Sequence, residues 1–293
     1  MSIARVLKHP REVAAWSRRL RRDGQRIALV PTMGALHEGH LSLMREGLSR
    51  ADVVAVSIFV NPAQFGPQED LSRYPRDLEG DVARCASVGV SMIYAPEPAT
   101  VYPPGYRTWV SVEGLGDGLC GASRPGHFRG VSTIITKLFS LFRPHVALFG
   151  EKDYQQLQII KAVNADLELG VDVVGVPTVR EPDGLALSSR NAYLSASDRE
   201  RALSISRGLR AAQAHASAAA RAGARITAAM IEAQVHAQLQ AAKVEAEYVQ
   251  LVDAQTLQPL DGLNPGDRGR LMVAARLGTT RLIDNVAIPA PVG

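Results

Sequence analysis

Residues 27–40 read Ile27-Ala28-Leu29-Val30-Pro31-Thr32-Met33-Gly34-Ala35-Leu36-His37-Glu38-Gly39-His40, and this stretch decides the fold. An apolar run ends at Pro31, a turn carrying Gly34 follows, and a helical pattern opens near Gly39 and runs to about residue 50. Strand, tight turn and helix in that order begin a βαβ unit. The pattern recurs outward from here. Apolar, β-branched runs lie at Val53–Val60, Ser91–Ala95, Val146–Phe149 and Val171–Val176, with helical patterns at about 79–88, 128–142 and 153–167. Such alternation predicts an α/β fold with a parallel sheet. In open α/β sheets ligands bind beyond the carboxyl ends of the strands. The motif-bearing segments after Pro31, Val60 and Phe149 fall there.

His37 and His40 are three residues apart, so on a first helical turn they face the same way. The helix N-terminus adds unpaired N–H groups and the positive end of a dipole, which suits phosphate. Gly39 lets backbone approach a nucleotide. A metal pair or a purely structural turn is the alternative. A third ligand at metal-like spacing is missing, because His127 and His145 are distant in sequence. The position after a strand and before a helix favours phosphate.

Four further segments carry polar chemistry. Phe149-Gly150-Glu151-Lys152-Asp153-Tyr154-Gln155-Gln156 also follows a strand and opens a helix. Gly150 permits backbone contact with a nucleotide, Lys152 supplies a mobile point charge, and Asp153 can accept a ribose hydroxyl. Leu187-Ser188-Ser189-Arg190-Asn191 offers two hydroxyls and a guanidinium able to close over a triphosphate. Phe59-Val60-Asn61-Pro62-Ala63-Gln64-Phe65-Gly66 places neutral Asn61 and Gln64 where a hydroxylated or carboxylate substrate can be held without being neutralised. In Arg124-Pro125-Gly126-His127-Phe128-Arg129, either arginine can pair with a substrate carboxylate. Asp81 is a weaker candidate, for magnesium. A solvated cap, an Asn-Pro turn or a serine-rich loop explains each segment taken alone. The Walker pattern Gly-x-x-x-x-Gly-Lys-Ser/Thr does not occur.

At 293 residues the chain is long enough for two domains. Hydrophobic residues make up 46% and charged residues 21%, as in a folded soluble protein. Net charge is +4, but the basic residues are scattered and aromatics reach only 5%, which argues against a nucleic-acid partner. No apolar stretch is long enough to cross a bilayer, and the N-terminal segment lacks a secretory core. Two distant cysteines, Cys85 and Cys120, form no disulfide or metal framework and fit a reducing cytoplasm.

After about Val179 the pattern changes. Ser197-Asp198-Arg199-Glu200 reads as a capping box opening an alanine-rich helix to about Ala220. A second helix with Ile231, Val235 and Leu239 on one face follows, then strand-like runs at Tyr248–Val252, Leu271–Ala275 and Leu282–Ile288. Two domains are therefore expected: 1–179, α/β with a parallel sheet, and 180–293, a smaller α+β lobe; the resemblance described next implies that the first is Rossmann-like and the second a lid.

Taken together, PTMGALHEGH, FVNPAQFG, RPGHFRGV, FGEKDYQQL and DGLALSSRN, in that order, resemble the pantothenate synthetase (pantoate–β-alanine ligase) family. The resemblance covers most of residues 27–194 and is weaker beyond. It implies a class I aminoacyl-tRNA-synthetase-like Rossmann fold, in which His37–His40 matches the HIGH signature and Ser188–Arg190 stands for the mobile KMSKS loop. It implies ATP-dependent condensation of (R)-pantoate with β-alanine, through a pantoyl adenylate, in pantothenate and coenzyme A biosynthesis. ATP would lie along Met33, Gly34, Ala35, Leu36, His37, Glu38, Gly39 and His40, along Gly150, Glu151, Lys152 and Asp153, and along Val179, Leu187, Ser188, Ser189 and Arg190. The catalytic set would be His40, as general acid, with His37, Lys152 and Arg190. Gln64 and Gln156 would hold pantoate, and Gln64 with Asn61 and Arg124 would border β-alanine. Magnesium accompanies ATP, and a homodimer formed through the first domain is usual. The other readings are a nucleotidyltransferase that stops after nucleotide transfer, and a nucleotide sensor or RNA-binding module without turnover. Gln64 and Gln156, which imply an acid pocket, argue for the ligase.

Overall fold

The computed structural model describes residues 4–67 and 69–289. The chain divides into two compact units, Met1–Glu151 with Gln155–Pro177, and Lys152–Tyr154 with Thr178–Gly293.

In the first unit, six strands form one parallel sheet: β1 (Arg5–Leu7), β2 (Ile27–Thr32), β3 (Val53–Ile58), β4 (Met92–Tyr94), β5 (Val146–Gly150) and β6 (Asp172–Val176). Their order is β1-β4-β3-β2-β5-β6. Helices α1 (Pro10–Arg22), α2 (Glu38–Arg50), α3 (Leu78–Ser87), α4 (Pro98–Val101), α5 (Cys120–Ser123), α6 (His127–Phe142) and α7 (Tyr154–Asp166) connect the strands or flank them. The α/β parallel sheet read from the alternation is thus present. β1 escaped that reading because three residues carry no periodicity.

The central strands are apolar on both faces, as a sheet covered by helices requires. Ile27, Ala28, Leu29 and Val30 of β2 and Val54, Ala55 and Val56 of β3 are fully buried. α1 buries Val13, Trp16 and Leu20, the stripe its spacing predicts, and Trp16 meets Phe142 of α6 edge-on. Each such side chain contributes roughly 1.5–3 kcal/mol of transfer free energy. Gly47 of α2 faces Val54, Ala28 and Leu148, and a β-carbon there would stand 3.2 Å from the Val54 side chain. Helix and sheet approach closely at the element that carries the two histidines.

The second unit contains α8 (Ala196–Arg221), β7 (Ile226–Thr227), α9 (Ala228–Ala241), β8 (Glu245–Asp253), β9 (Gly262–Leu263), β10 (Gly269–Leu277) and β11 (Thr280–Ile288). β8, β10 and β11 form an antiparallel sheet in the order β11-β10-β8. Ile231, Val235 and Leu239 of α9 pack with Leu203, Leu209 and Leu271 in one core. The helix α8 starts one residue earlier than the proposed capping box. Its N-cap is Ser195, whose hydroxyl accepts the Asp198 N–H at 3.1 Å, and Ser197 lies inside the first turn. The turn Lys152–Tyr154, expected in the first domain, is grouped with this second unit.

Candidate active site

The chain runs from β2 outward through β3 to β4, then returns to place β5 on the other side of β2. The β2–β5 boundary is therefore a topological switch point, where the loops beyond two strands diverge and leave a crevice. Met33–His37 leaves β2 there, and Gly150–Glu151 leaves β5.

The β2 loop is held from both sides. Thr32 donates its hydroxyl to the Ser57 carbonyl at 2.8 Å and accepts the Gly34 N–H at 3.3 Å. Gly34 has φ +86°, and a β-carbon on it would lie 2.9 Å from an Asp81 oxygen, so glycine is required. Ala35 also sits at positive φ, 50°. The Asp81 carboxylate, only 1% exposed, accepts the Ala35 N–H at 2.9 Å and the Leu36 N–H at 2.8 Å. Burial pushes the Asp81 carboxyl up from its ordinary value, against the two amide hydrogen bonds that favour the ionised form. Asp81 thus braces this loop. Both oxygens are engaged by backbone, and no group of three or more His, Cys, Asp or Glu able to hold a metal ion occurs among the described residues.

The loop delivers two histidines in a reciprocal cap. His37 is the N-cap of α2, and its Nδ1 accepts the Gly39 N–H at 3.2 Å. His40 Nδ1 accepts the His37 N–H at 3.2 Å. They fill the places that serine and glutamate take in an ordinary capping box. A ring nitrogen that accepts N–H carries no proton, so each neutral imidazole bears its hydrogen on Nε2. The rings lie 4.1 Å apart between centroids and are tilted by 40°. Two N–H donors are thereby fixed side by side at a helix N-terminus. Glu38, between them, gives its carboxylate to Arg45, whose hydrogen bond lowers its pKa. What Glu38 has left for a nucleotide is backbone.

Beyond β3, Asn61 caps the 3₁₀ turn Pro62–Gln64. Its amide donates to Gln64 Oε1 and to the Gly130 carbonyl, both at 3.1 Å, and its Oδ1 accepts the Tyr102 hydroxyl at 2.9 Å. Gly130 lets α6 meet this turn, for a β-carbon would fall 2.3 Å from the Ala63 carbonyl oxygen. Arg124 pairs with Glu69 through Nε at 2.9 Å and Nη2 at 2.6 Å. Burial would raise the Glu69 carboxyl, but hydrogen bonding and charge from Arg124 outweigh it and hold it low. The third Arg124 nitrogen lies 3.0 Å from His127 Nε2, and His127 Nδ1 meets the Gln64 carbonyl at 2.8 Å. Through these contacts Asn61 and Arg124 both position Gln64. Gln64 itself is nearly buried, with Nε2 3.1 Å from Met33 Sδ. Gln156 lies on α7. Its neighbour Gln155 is consumed by the loop before α5, donating to the Leu115 and Gly118 carbonyls at 2.9 Å and accepting the Cys120 N–H at 3.0 Å.

The second unit holds the remaining candidates. Lys152 Nζ lies 4.0 Å from the half-exposed Asp153 carboxylate. Ser188 caps a 3₁₀ turn, Ser189–Tyr193, by accepting the Arg190 N–H at 3.3 Å. Leu187 N–H donates to the Val179 carbonyl at 3.0 Å, which ties the two together. Met33–His40, Gly150, Glu151, Gln64 and Gln156 thus belong to the first unit, and Lys152, Asp153, Val179 and Leu187–Arg190 to the second. Sequence reasoning missed Asp81 as a brace, the capping roles of His37 and His40, and the pair Asp284–Asn285 treated below. The sequence marks Asp81 as an acidic residue early in a helix, and nothing local shows that it meets the amides of Ala35 and Leu36.

A Rossmann-like sheet with an imidazole pair at the helix N-terminus of its switch point defines a nucleotide-handling α/β protein. The family model described as pantoate-beta-alanine ligase matches residues 5–287, and the chain belongs to that family. It is 63% identical over 284 residues to the pantothenate synthetase of Myxococcus xanthus (strain DK1622), covering 97% of this chain and 96% of that one. Its fold matches pantothenate synthetase from Thermus thermophilus with a TM-score of 0.88 and 43% identity, over 96% of this chain and 98% of that one. It also matches pantoate-beta-alanine ligase from Francisella tularensis, solved complexed with beta-gamma ATP and beta-alanine, with a TM-score of 0.79 and 33% identity over 97% of both chains.

Proposed function

We propose that the chain joins (R)-pantoate to β-alanine at the expense of ATP, releasing AMP and pyrophosphate. The observation that carries this is the reciprocal cap of His37 and His40, which sets two imidazoles side by side at a helix N-terminus just beyond β2. Family membership and the ligands of the Francisella protein support the choice of acid, amine and nucleotide.

A carboxylate is a poor acyl donor because its leaving group would be oxide. In the first step a pantoate carboxylate oxygen attacks the α-phosphorus, the bond to the bridging oxygen breaks, and pyrophosphate departs with the electron pair. In the second, the free amine of β-alanine attacks the acyl carbon, AMP leaves, and the nitrogen loses a proton to give the amide. No protein nucleophile is needed. Positioning and stabilisation of developing charge are. His37 and His40 donate to the triphosphate, more strongly as charge gathers on pyrophosphate; the general-acid part that the family resemblance gives His40 would require it to gain a second proton. Lys152, Ser188, Ser189 and Arg190 form the second unit's anion grip, with Val179 and Leu187 alongside and Asp153 toward the ribose. Gln64, held by Asn61 and the Arg124–His127 pair, presents a neutral amide to pantoate together with Gln156. A neutral donor leaves the carboxylate nucleophilic, where a cation would quench it.

Magnesium enters as the counter-ion that the triphosphate brings. The residues do not fit a protein-held magnesium, since Asp81 is committed to backbone, and no step is assigned to it. A second copy of the chain is the expected partner. Two buried cysteine thiols, Cys85 and Cys120, support a cytoplasmic setting. Among the described residues no helix is long and apolar enough to cross a membrane.

The test is isotope exchange between pyrophosphate and ATP. Exchange that requires pantoate, followed by amide formation on adding β-alanine, is the expected result. Exchange without pantoate would make the chain a simple nucleotidyltransferase, and binding without exchange a sensor.

A further inference from the structure

Asp284 and Asn285 are consecutive residues on β11, so their side chains leave opposite faces of the strand. Both are polar and almost completely buried in the second unit. Each holds a different piece of chain. Asp284 takes both ends of the Arg180 guanidinium, at 2.6 and 2.9 Å. Arg180 forms an isolated bridge with Ala186 and donates to the Gly184 carbonyl at 3.2 Å. The turn so closed leads straight into Ser188–Arg190. Asn191, just past it, returns its amide to the Ala186 carbonyl at 3.0 Å and to Glu181 at 3.1 Å. The serine–arginine turn is therefore strung between points fixed to Asp284.

Asn285 faces the other way. Its Nδ2 donates to the Lys152 carbonyl at 2.9 Å, and its Oδ1 accepts from Arg270 Nε at 2.5 Å. Arg270 lies diagonally across β10, since Met272 is the residue paired with Asn285. The Arg270 guanidinium stacks over the Tyr154 ring at 4.0 Å, and the Tyr154 hydroxyl donates to the Ala254 carbonyl at 2.9 Å. The turn Lys152–Tyr154 is thus held at its first residue by Asn285 and at its last by Arg270 and the main chain. The two halves are joined as well, because the Asn285 N–H donates to Asp284 Oδ1 at 2.8 Å.

We propose that Asp284 and Asn285 are positioning residues which set Lys152 and the Ser188–Arg190 turn in one fixed mutual geometry, so that the two anion-binding elements of the second unit act as a single rigid grip. This rests on the reading of Lys152 and Arg190 as triphosphate ligands. Neither residue of the pair touches substrate. Their effect passes through the Lys152 carbonyl and the Arg180 turn. Buried polar groups at such places are retained only when partners are supplied, and here Asn285 reaches the Lys152 carbonyl directly while Asp284 acts through Arg180, which closes the turn ahead of Ser188.

The experiment is a mutant cycle on the full chain, read by pantoate-dependent pyrophosphate exchange with separate kcat and KM. Asn285→Ala is expected to lower kcat roughly ten- to a hundredfold, the scale of displacing a positioned group by about 1 Å, with KM for pantoate nearly unchanged. Asn285→Asp keeps an acceptor for Arg270 but loses the donor to the Lys152 carbonyl, so it should fall with Asn285→Ala. The double variant Lys152→Ala/Asn285→Ala should be no slower than Lys152→Ala alone. Multiplying losses, or an Asn285→Asp rate close to the native one, would overturn the proposal. Amide hydrogen exchange guards against a mere folding defect. Asn285→Ala should speed exchange in the Lys152–Tyr154 turn and leave the β10–β11 ladder protected, and Asp284→Asn should do the same for residues 180–191. Unchanged exchange in those segments would also refute the idea. If Lys152→Ala kept the native rate, the ligand role of Lys152 would fail, while hydrogen exchange would still decide whether the pair holds the two turns.

Discussion

Replacing Asp81 by alanine tests the link between the buried brace and the histidine pair. The native carboxylate accepts two backbone N–H groups, from Ala35 and Leu36, at a site closed to water. Alanine leaves both donors buried without that acceptor, and each unmade bond to a charged group is worth about 1.5–3 kcal/mol. The gross loss is therefore about 3–6 kcal/mol. Removing a carboxylate that burial already disfavours returns part of this, so a net loss of about 2–4 kcal/mol is expected. Gly34 and Ala35, both at positive φ, should relax toward commoner conformations once released. His37 follows Ala35 with one residue between, and exchange activity should drop by about 10²-fold. The pH sign can be worked out. The folded pKa lies above the ordinary 3.8, so on acidification the folded chain takes up this proton before the unfolded one does. Proton uptake at Asp81 thus favours the fold as pH falls through that window, and Asp81→Asn should lose this protection against acid. Urea unfolding measures the stability term, and pantoate-dependent exchange measures the activity. An alanine variant of native stability and native exchange rate would refute the brace. A variant stable but inactive, with activity restored by added magnesium, would return Asp81 to the metal role set aside above.

Three further outcomes follow from the geometry. His40→Ala should lower kcat by about 10²–10³-fold, the scale of one lost preorganised donor, and a near-native rate in the exchange assay would remove His40 from the chemistry. Arg190→Ala should raise KM for ATP much more than KM for pantoate; the reverse pattern in steady-state kinetics would misplace the Ser188–Arg190 turn. His145 accepts the Ile27 N–H on Nδ1 at 3.0 Å, and burial, aided by the charges of Arg21 and Arg26, lowers its pKa from the ordinary 6.5. Its contribution to stability is therefore complete above pH 6.5 and lost below it as the unfolded chain takes the proton first. The urea midpoint should fall between about pH 7.5 and about pH 5.5, and less so in His145→Asn, which keeps an acceptor for Ile27; equal slopes would discount the residue.

Much of the fold was legible because its signals are local. β2, β3, β5 and β6 are apolar runs flanked by turn residues, and α2, α6 and α9 carry their buried stripes at helical spacing, so hydrophobic period alone located them within a residue or two. Where two local signals competed, the reading slipped. Ser195 and Ser197 both precede acidic residues suitable for a cap, and only the backbone decides which hydroxyl meets the N–H three residues on. β1 is three residues long and earns its place through parallel pairing with β4, a contact 87 residues away that no local pattern announces.

The site divides along the same line. Asn61, Arg124 and Asp81 stand out in the sequence because their chemistry suits carboxylate, amine or metal, and chemistry is what a sequence displays. The structure turns that same chemistry inward. Asn61 meets Gly130, Arg124 meets Glu69, and Asp81 meets the amides of Ala35 and Leu36, across separations of 69, 55, and 46 or 45 residues. Polar groups that grip a substrate must themselves be gripped, since a loose donor spends its interaction energy on ordering itself. A sequence lists both kinds alike. What tells them apart is whether the partner is supplied by the fold. His37 and His40 show both cases in one pair of rings: Nδ1 of each is spent on the local cap, and the same cap sends the proton to Nε2, where the proposed reaction calls for a donor toward departing pyrophosphate.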